Sequence, residues 1–157
     1  MMASLRILVT GGRDYADAAR VEAELAAAVE ARLGPGADPG TVVLVHGDAS
    51  GLDRLAAVAG KRLGFQVEPH PADWAGPCRP TCPAPPTTSH RRQRRDGTDW
   101  CPAAGVYRNA EMVELGADLA IVFPGGRGTV DCARRIRAAG IEIHELGPLA
   151  PQDGLDR

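Results

Sequence analysis

The chain has 157 residues, 44% of them hydrophobic and 24% charged, with a formal net charge of -2. Such a balance describes a globular chain long enough for one domain, with a five-stranded sheet and helices on both faces. It argues against a chain devoted to nucleic acid, and no uninterrupted apolar run approaches the length that crosses a membrane.

The opening residues MMASLRILVT lack the charged region, long apolar run and small-residue cleavage site of a signal peptide. The expected compartment is therefore the cytosol, where thiols stay reduced. Leu5–Thr10 is solidly apolar, as a strand buried on both faces reads. Val21, Leu25, Val29 and Leu33 recur every four residues and predict a helix from Asp17, ended by Gly34-Pro35-Gly36. Thr41–Val45 reads as a second strand, Leu52–Leu63 as a second helix closed by Gly64, and Phe65–Glu68 as a short third strand. Residues 76–104 then hold six of the 13 prolines and three of the four cysteines, with five Arg against two Asp. Without periodicity of either kind, they read as an insertion in a loop. Tyr107–Leu115 and Thr129–Ala139 follow as helices, Asp118–Phe123 and Ile141–His144 as strands, and 148–157 as a tail. The expected fold is α/β: a Rossmann-like, three-layer parallel sheet of about five strands, forming a single domain over residues 1–147.

Three short runs end a strand with glycine and open a helix: TGGRD (10–14), HGDASG (46–51) and PGGRGT (124–129). A parallel sheet gathers such turns at the carboxyl edge of its strands, where ligands of these folds sit. Glycine permits close backbone approach to an anion, and unpaired N–H groups at helix starts attract negative charge. Gly11, Gly12, Arg13, Asp14, Gly47, Asp48, Ser50, Gly51, Gly125, Gly126, Gly128 and Thr129 are thus candidate ligand-binding residues. Arg13, between glycine and an expected helix start, suits a phosphate. Ser50 and Thr129 are typed as helix caps, and Asp14 and Asp53 as acidic residues favouring helix N-termini. One such loop alone would read as a turn that needs flexible glycine; three at one edge favour a site for a phosphorylated molecule.

The motifs GGRDY, HGDASGLD, YRNAEM and FPGGRGT resemble the SLOG superfamily, in particular its YspA branch, from Arg6 to about His144 with 76–104 interrupting. The resemblance implies a Rossmann-like fold, a nucleotide or nucleotide-derived ligand and a homodimer. The superfamily includes DprA-like DNA-processing proteins, molybdenum cofactor carriers and the Lonely Guy phosphoribohydrolases, which cleave nucleoside 5′-monophosphates. In those hydrolases an Arg of an RKAEM-like helix start works with the Glu of a PGGxGTxxE loop. Arg108 and Asn109 carry over as ligand-binding candidates, with Arg108 placed for phosphate or transition-state charge. The Glu position is Cys132, and Asp131 stands one place earlier, about 100° around the helix. Glycosidic cleavage needs a carboxylate that a thiol does not replace. The leading expectation is therefore binding or sensing of a nucleotide. The alternative is a phosphoribohydrolase using Arg108 and Asp131. Cys132 itself reads as a small buried hydrophobe.

Within the insertion, Cys78-x3-Cys82-x7-His90-x10-Cys101 supplies the Cys₃His set of structural zinc sites. A proline-rich, apolar-poor segment cannot offset its ordering entropy by burial, whereas a bound ion can. The competing reading is a flexible loop with incidental thiols. Arg91, Arg92, Arg94 and Arg95 follow His90, as a solvated run, a lid over ligand phosphates, or a nucleic-acid contact that would make a third functional class. Trp74 and Trp100 flank the insertion and are expected to pack together or stack on a base.

Overall fold

The computed structural model describes residues 4–82 and 90–147; the expected tail, 148–157, lies outside them. Five parallel strands form the sheet: β1 (Leu5–Thr10), β2 (Val42–His46), β3 (Gln66–Pro69), β6 (Leu119–Val122) and β7 (Ile143–Glu145). Their spatial order is β3-β2-β1-β6-β7. The helices are α1 (Ala18–Leu33), α2 (Leu52–Leu63), α3 (Ala104–Leu115) and α4 (Arg127–Ala138). The chain builds outward from β1 on one side, then crosses to β6 on the other. Loops leaving β1 and β6 therefore diverge to opposite faces and open a crevice, the usual ligand position in such sheets.

Strand alternation sorts the core into two layers. Leu5, Ile7 and Val9 pack with Val21 and Leu25 of α1 and Leu52 and Ala56 of α2. Leu8 points the other way, to Met112 and Val113 of α3 and Cys132 and Ile136 of α4. Burial on both faces is why these strands read as continuous apolar runs rather than alternating ones. Among the described residues, no helix is long and apolar enough to cross a membrane.

Several boundaries differ from expectation. α3 begins at Ala104, three residues early, because the small, helix-favouring residues before Tyr107 continue the helix backward. α4 begins at Arg127 with Gly126 as its cap, so Thr129 is a buried residue inside the first turn rather than the cap. α2 is capped by Gly51, with no side-chain cap from Ser50, which is exposed. α1 starts at Ala18, where the Asp17 side chain accepts from the Arg20 N–H at 3.1 Å; Arg13 and Asp14 lie in the loop before it, not at its start. The insertion is not a featureless loop. It contains an antiparallel hairpin, β4 (Arg92–Gln93) and β5 (Asp99–Trp100). Its turn is Asp96-Gly97: Gly97 has φ +86°, Asp96 Oδ1 accepts from Thr98 N at 2.9 Å and Thr98 Oγ1 at 2.6 Å, and Arg94 N donates to Thr98 O at 2.8 Å.

Candidate functional site

Where β1 and β6 end, three glycine turns touch. The Gly12 N–H donates to the Pro124 carbonyl at 2.9 Å, and the Gly12 carbonyl accepts from the Leu52 N–H at 3.0 Å. Two glycines are dictated by this closeness. Gly51 has φ +74°, and a Cβ there would overlap the carbonyls of Gly12 and Arg13. A Cβ on Gly11 would lie 2.5 Å from Leu52 Cγ.

A cavity of about 480 Å³ opens between the turns. Most of its lining comes from three places: Val9–Asp14 at the end of β1, Gly126–Thr129 and Asp131 at the start of α4, and Arg108, Asn109 and Met112 of α3. Trp74, Pro102, Gly105 and Val106 add a side contributed by the insertion and its flank, and Ala49 and Asp53 come from the loop into α2. Of the candidates named from sequence, Gly11, Gly12, Arg13, Asp14, Arg108, Asn109, Gly126, Gly128, Thr129 and Asp131 therefore share this space. Gly47, Asp48, Ser50, Gly51 and Gly125 do not line it. Gly51 and Gly125 pack against the Gly12 backbone, while Gly47 supports Arg108.

Arg108 is held in place by its surroundings. Nη1 donates to the Gly47 carbonyl and Nε donates to Asn109 Oδ1 at 2.9 Å. Burial draws its pKa below the usual guanidinium value, with the neighbouring Asp53 opposing that shift, so the group stays cationic. Asp53 is 7% exposed; its Oδ2 accepts from Gly47 N at 3.2 Å and Ala49 N at 3.1 Å. Burial raises its pKa, against those two amides and the Arg108 charge. Reading Asp53 only as a favourable charge at a helix start missed this role: it satisfies the amides of the HGDASG turn from inside.

Asn109, also buried, donates through Nδ2 to Gly128 O at 3.2 Å and to Asp131 Oδ2 at 3.1 Å, tying α3 to the start of α4. Asp131 also accepts from Arg134 at 2.7 Å and Arg135 Nε at 3.0 Å. Desolvation pushes its pKa up, but these donors outweigh it and the net shift is downward. Cys132 is fully buried in the α3/α4 layer, and desolvation lifts its thiol to about 11. It is a packed hydrophobe outside the cavity lining.

Beside the cavity, one ligand atom from each of Cys78, Cys82, His90 and Cys101 lies within 4.8 Å of the other three, close enough to hold a metal ion. Cys82 Sγ and Cys101 Sγ are 3.6 Å apart, much longer than the ~2.05 Å of a disulfide. Cys78 Sγ and Cys101 Sγ lie 3.0 and 3.5 Å from His90 Nε2. The cluster is joined to the cavity wall. Cys101 N donates to Trp74 O at 2.9 Å, and Tyr107 of α3 donates to Cys82 Sγ at 3.2 Å. Trp74 and Trp100 pack edge to face, ring centroids 5.5 Å apart.

A family model described as the YspA, cpYpsA-related SLOG family matches residues 5–76, which carry the first two glycine turns and stop where the insertion begins. The chain is also similar to the Gene 61 protein of Mycobacterium phage D29, at 34% identity over 149 residues, covering 90% of this chain and 96% of that protein. With its five-stranded parallel sheet and those turns in place, the chain belongs to the YspA, cpYpsA-related SLOG family.

Proposed function

We propose that the chain binds a nucleotide or nucleotide-derived phosphorylated molecule in the cavity at the β1/β6 crevice. The phosphate lies on the amides that open α4, with Arg13 and Arg108 supplying charge. The observation that carries this reading is a pair of glycines that the fold itself does not require. A Cβ on Gly126 or Gly128 meets nothing within 4 Å, and neither residue has a positive φ. Both line the cavity, at the uncapped start of a 12-residue helix. The first amides of a helix have no intrahelical acceptor and suit an anion, and glycine at these two positions leaves the approach to them clear of side chains.

Titration of the four nucleoside 5′-monophosphates into wild type and Gly128→Ala by calorimetry tests the proposal. Wild type binds at least one of them. The variant holds or gains stability, by about 0.5–1 kcal/mol from helix propensity, and loses tenfold or more in affinity. No binding to wild type, or equal affinity in the variant, overturns the reading. Binding without cleavage is favoured over hydrolysis because both Asp131 oxygens already accept hydrogen bonds from Arg134, Arg135 and Asn109.

The ion that suits the cysteine cluster is zinc in a structural role. Zn–S arms of about 2.3 Å in a tetrahedron put sulfur atoms about 3.8 Å apart, near the 3.6 Å between Cys82 and Cys101. Four protein ligands leave no position for a reacting water. Elemental analysis of protein purified without added zinc should find about one equivalent; an absent or strongly substoichiometric signal defeats the assignment.

A further inference from the structure

A second groove, of about 580 Å³, adjoins the cavity and is lined by Arg13, Trp74, Arg92, Arg94, Trp100 and Pro102. Arg13, Trp74 and Pro102 line both spaces, so the two are contiguous. Their chemistry differs. The cavity balances Arg13, Arg108 and Arg127 against Asp14, Asp53 and Asp131, whereas the groove has three arginines and no carboxylate. The guanidinium carbons of Arg92 and Arg94 each lie 5.8 Å from the Trp100 ring centroid, and that of Arg13 lies 5.3 Å over Trp74. Among the described residues, no ion pair engages Arg13, Arg92 or Arg94. The nearby carboxylate of Asp96 is turned to Thr98, which donates to it twice.

The groove is also built rather than improvised. The Asp96-Gly97 turn sets the hairpin, and Arg91 pins it by donating to Asp99 Oδ1 at 2.9 Å and the Gly76 carbonyl at 2.7 Å. Indole rings bordered by guanidinium groups stack nucleobases and neutralise the phosphates between them. We propose that this groove is a second nucleotide subsite, and that the ligand is a dinucleotide. One unit occupies the cavity, the linking phosphate passes Arg13, and the second base meets the Trp100 face between Arg92 and Arg94. This rests on the cavity being a nucleotide site. A long strand fits less well, because six residues complete the groove and the chain as a whole is net negative.

Trp74 and Trp100 are the two tryptophans of the chain; Trp100 lines the groove and Trp74 lines both spaces, so intrinsic fluorescence reports on occupation of the pair. The test titrates the full-length protein with the four nucleoside 5′-monophosphates, the four matching 5′-phosphorylated homodinucleotides, and single-stranded decamers. For at least one base the dinucleotide should bind tenfold or more tightly than its mononucleotide, with quenching. The double variant Arg92→Ala/Arg94→Ala should erase that gain while shifting mononucleotide affinity less than twofold. Equal affinity for mono- and dinucleotides sinks the second subsite and leaves the cavity reading intact. A decamer binding more than tenfold tighter than the dinucleotide replaces it with strand binding. Absence of binding by both mono- and dinucleotides defeats the cavity reading and this one together.

Discussion

Individual glycines in this chain serve two different purposes, and their surroundings tell them apart. Gly51 is needed by the fold: its φ of +74° is strained for any side chain, and a Cβ would overlap two backbone carbonyls that cannot swing away. Gly128 lines the cavity, and a Cβ there would meet nothing within 4 Å, so packing does not demand glycine at that position. Gly51→Ala is therefore expected to lower the unfolding free energy by about 2 kcal/mol or more, adding left-handed strain to backbone overlap. Urea denaturation measures it, and a loss below about 0.5 kcal/mol would show that the Gly12–Gly51 contact relaxes freely. Arg108 shows the same economy among polar residues. Gly47 and Asn109 hold its guanidinium in place, so the ligand proposed above would meet a group that is already ordered.

At the scale of elements, legibility in the sequence followed the strength of the periodic signal. The bounds of α2 are legible to the residue from Leu55, Ala59 and Leu63 on one face and Gly64 at the end, although the face it buries most deeply carries Leu52, Ala56 and Ala59. β1 and β2 were legible as apolar runs because both faces are covered. The starts of α3 and α4 were not, since their caps are Ala103 and Gly126 and neither makes a side-chain capping bond. The β4–β5 hairpin was overlooked although Asp96-Gly97 is a strong turn signal. Its strands are two residues each, too short to show alternation. The four metal-ligand candidates were identifiable by residue type and now stand together. The candidate site was visible as loops but not as a lining: Trp74 enters it from the segment that follows β3, and Asp53 supports it through hydrogen bonds that spacing cannot reveal.

The whole molecule is two packed layers sharing one sheet, and a single charged side chain helps fasten its halves. Arg6 on the central strand reaches across β2 to Glu68 on β3, with Nη1 and Nη2 at 3.1 and 2.9 Å from its carboxylate oxygens. Its Nε donates to Gly116 O at 3.2 Å, before β6, and its backbone N–H to Asp118 Oδ2 at 2.8 Å. The first cause of Glu68's low pKa, about 2 against an ordinary 4.5, is this Arg6 hydrogen bond, followed by one from His70. A carboxylate depressed in the folded state stabilises fully above its unfolded pKa and loses that contribution as pH falls toward the folded value. The relevant window is therefore pH 4.5 down to about 2. Unscreened, the shift would correspond to about 3 kcal/mol. With 37% of the Glu68 side chain exposed, solvent screening reduces this to about 1 kcal/mol. Urea unfolding of wild type and Glu68→Gln at pH 6 and pH 2.5 isolates that contribution. The wild type should be more stable by about 1 kcal/mol at pH 6, and most of the gap should close at pH 2.5. A gap of the same size at both pH values would mean that the pair acts by packing and not by charge.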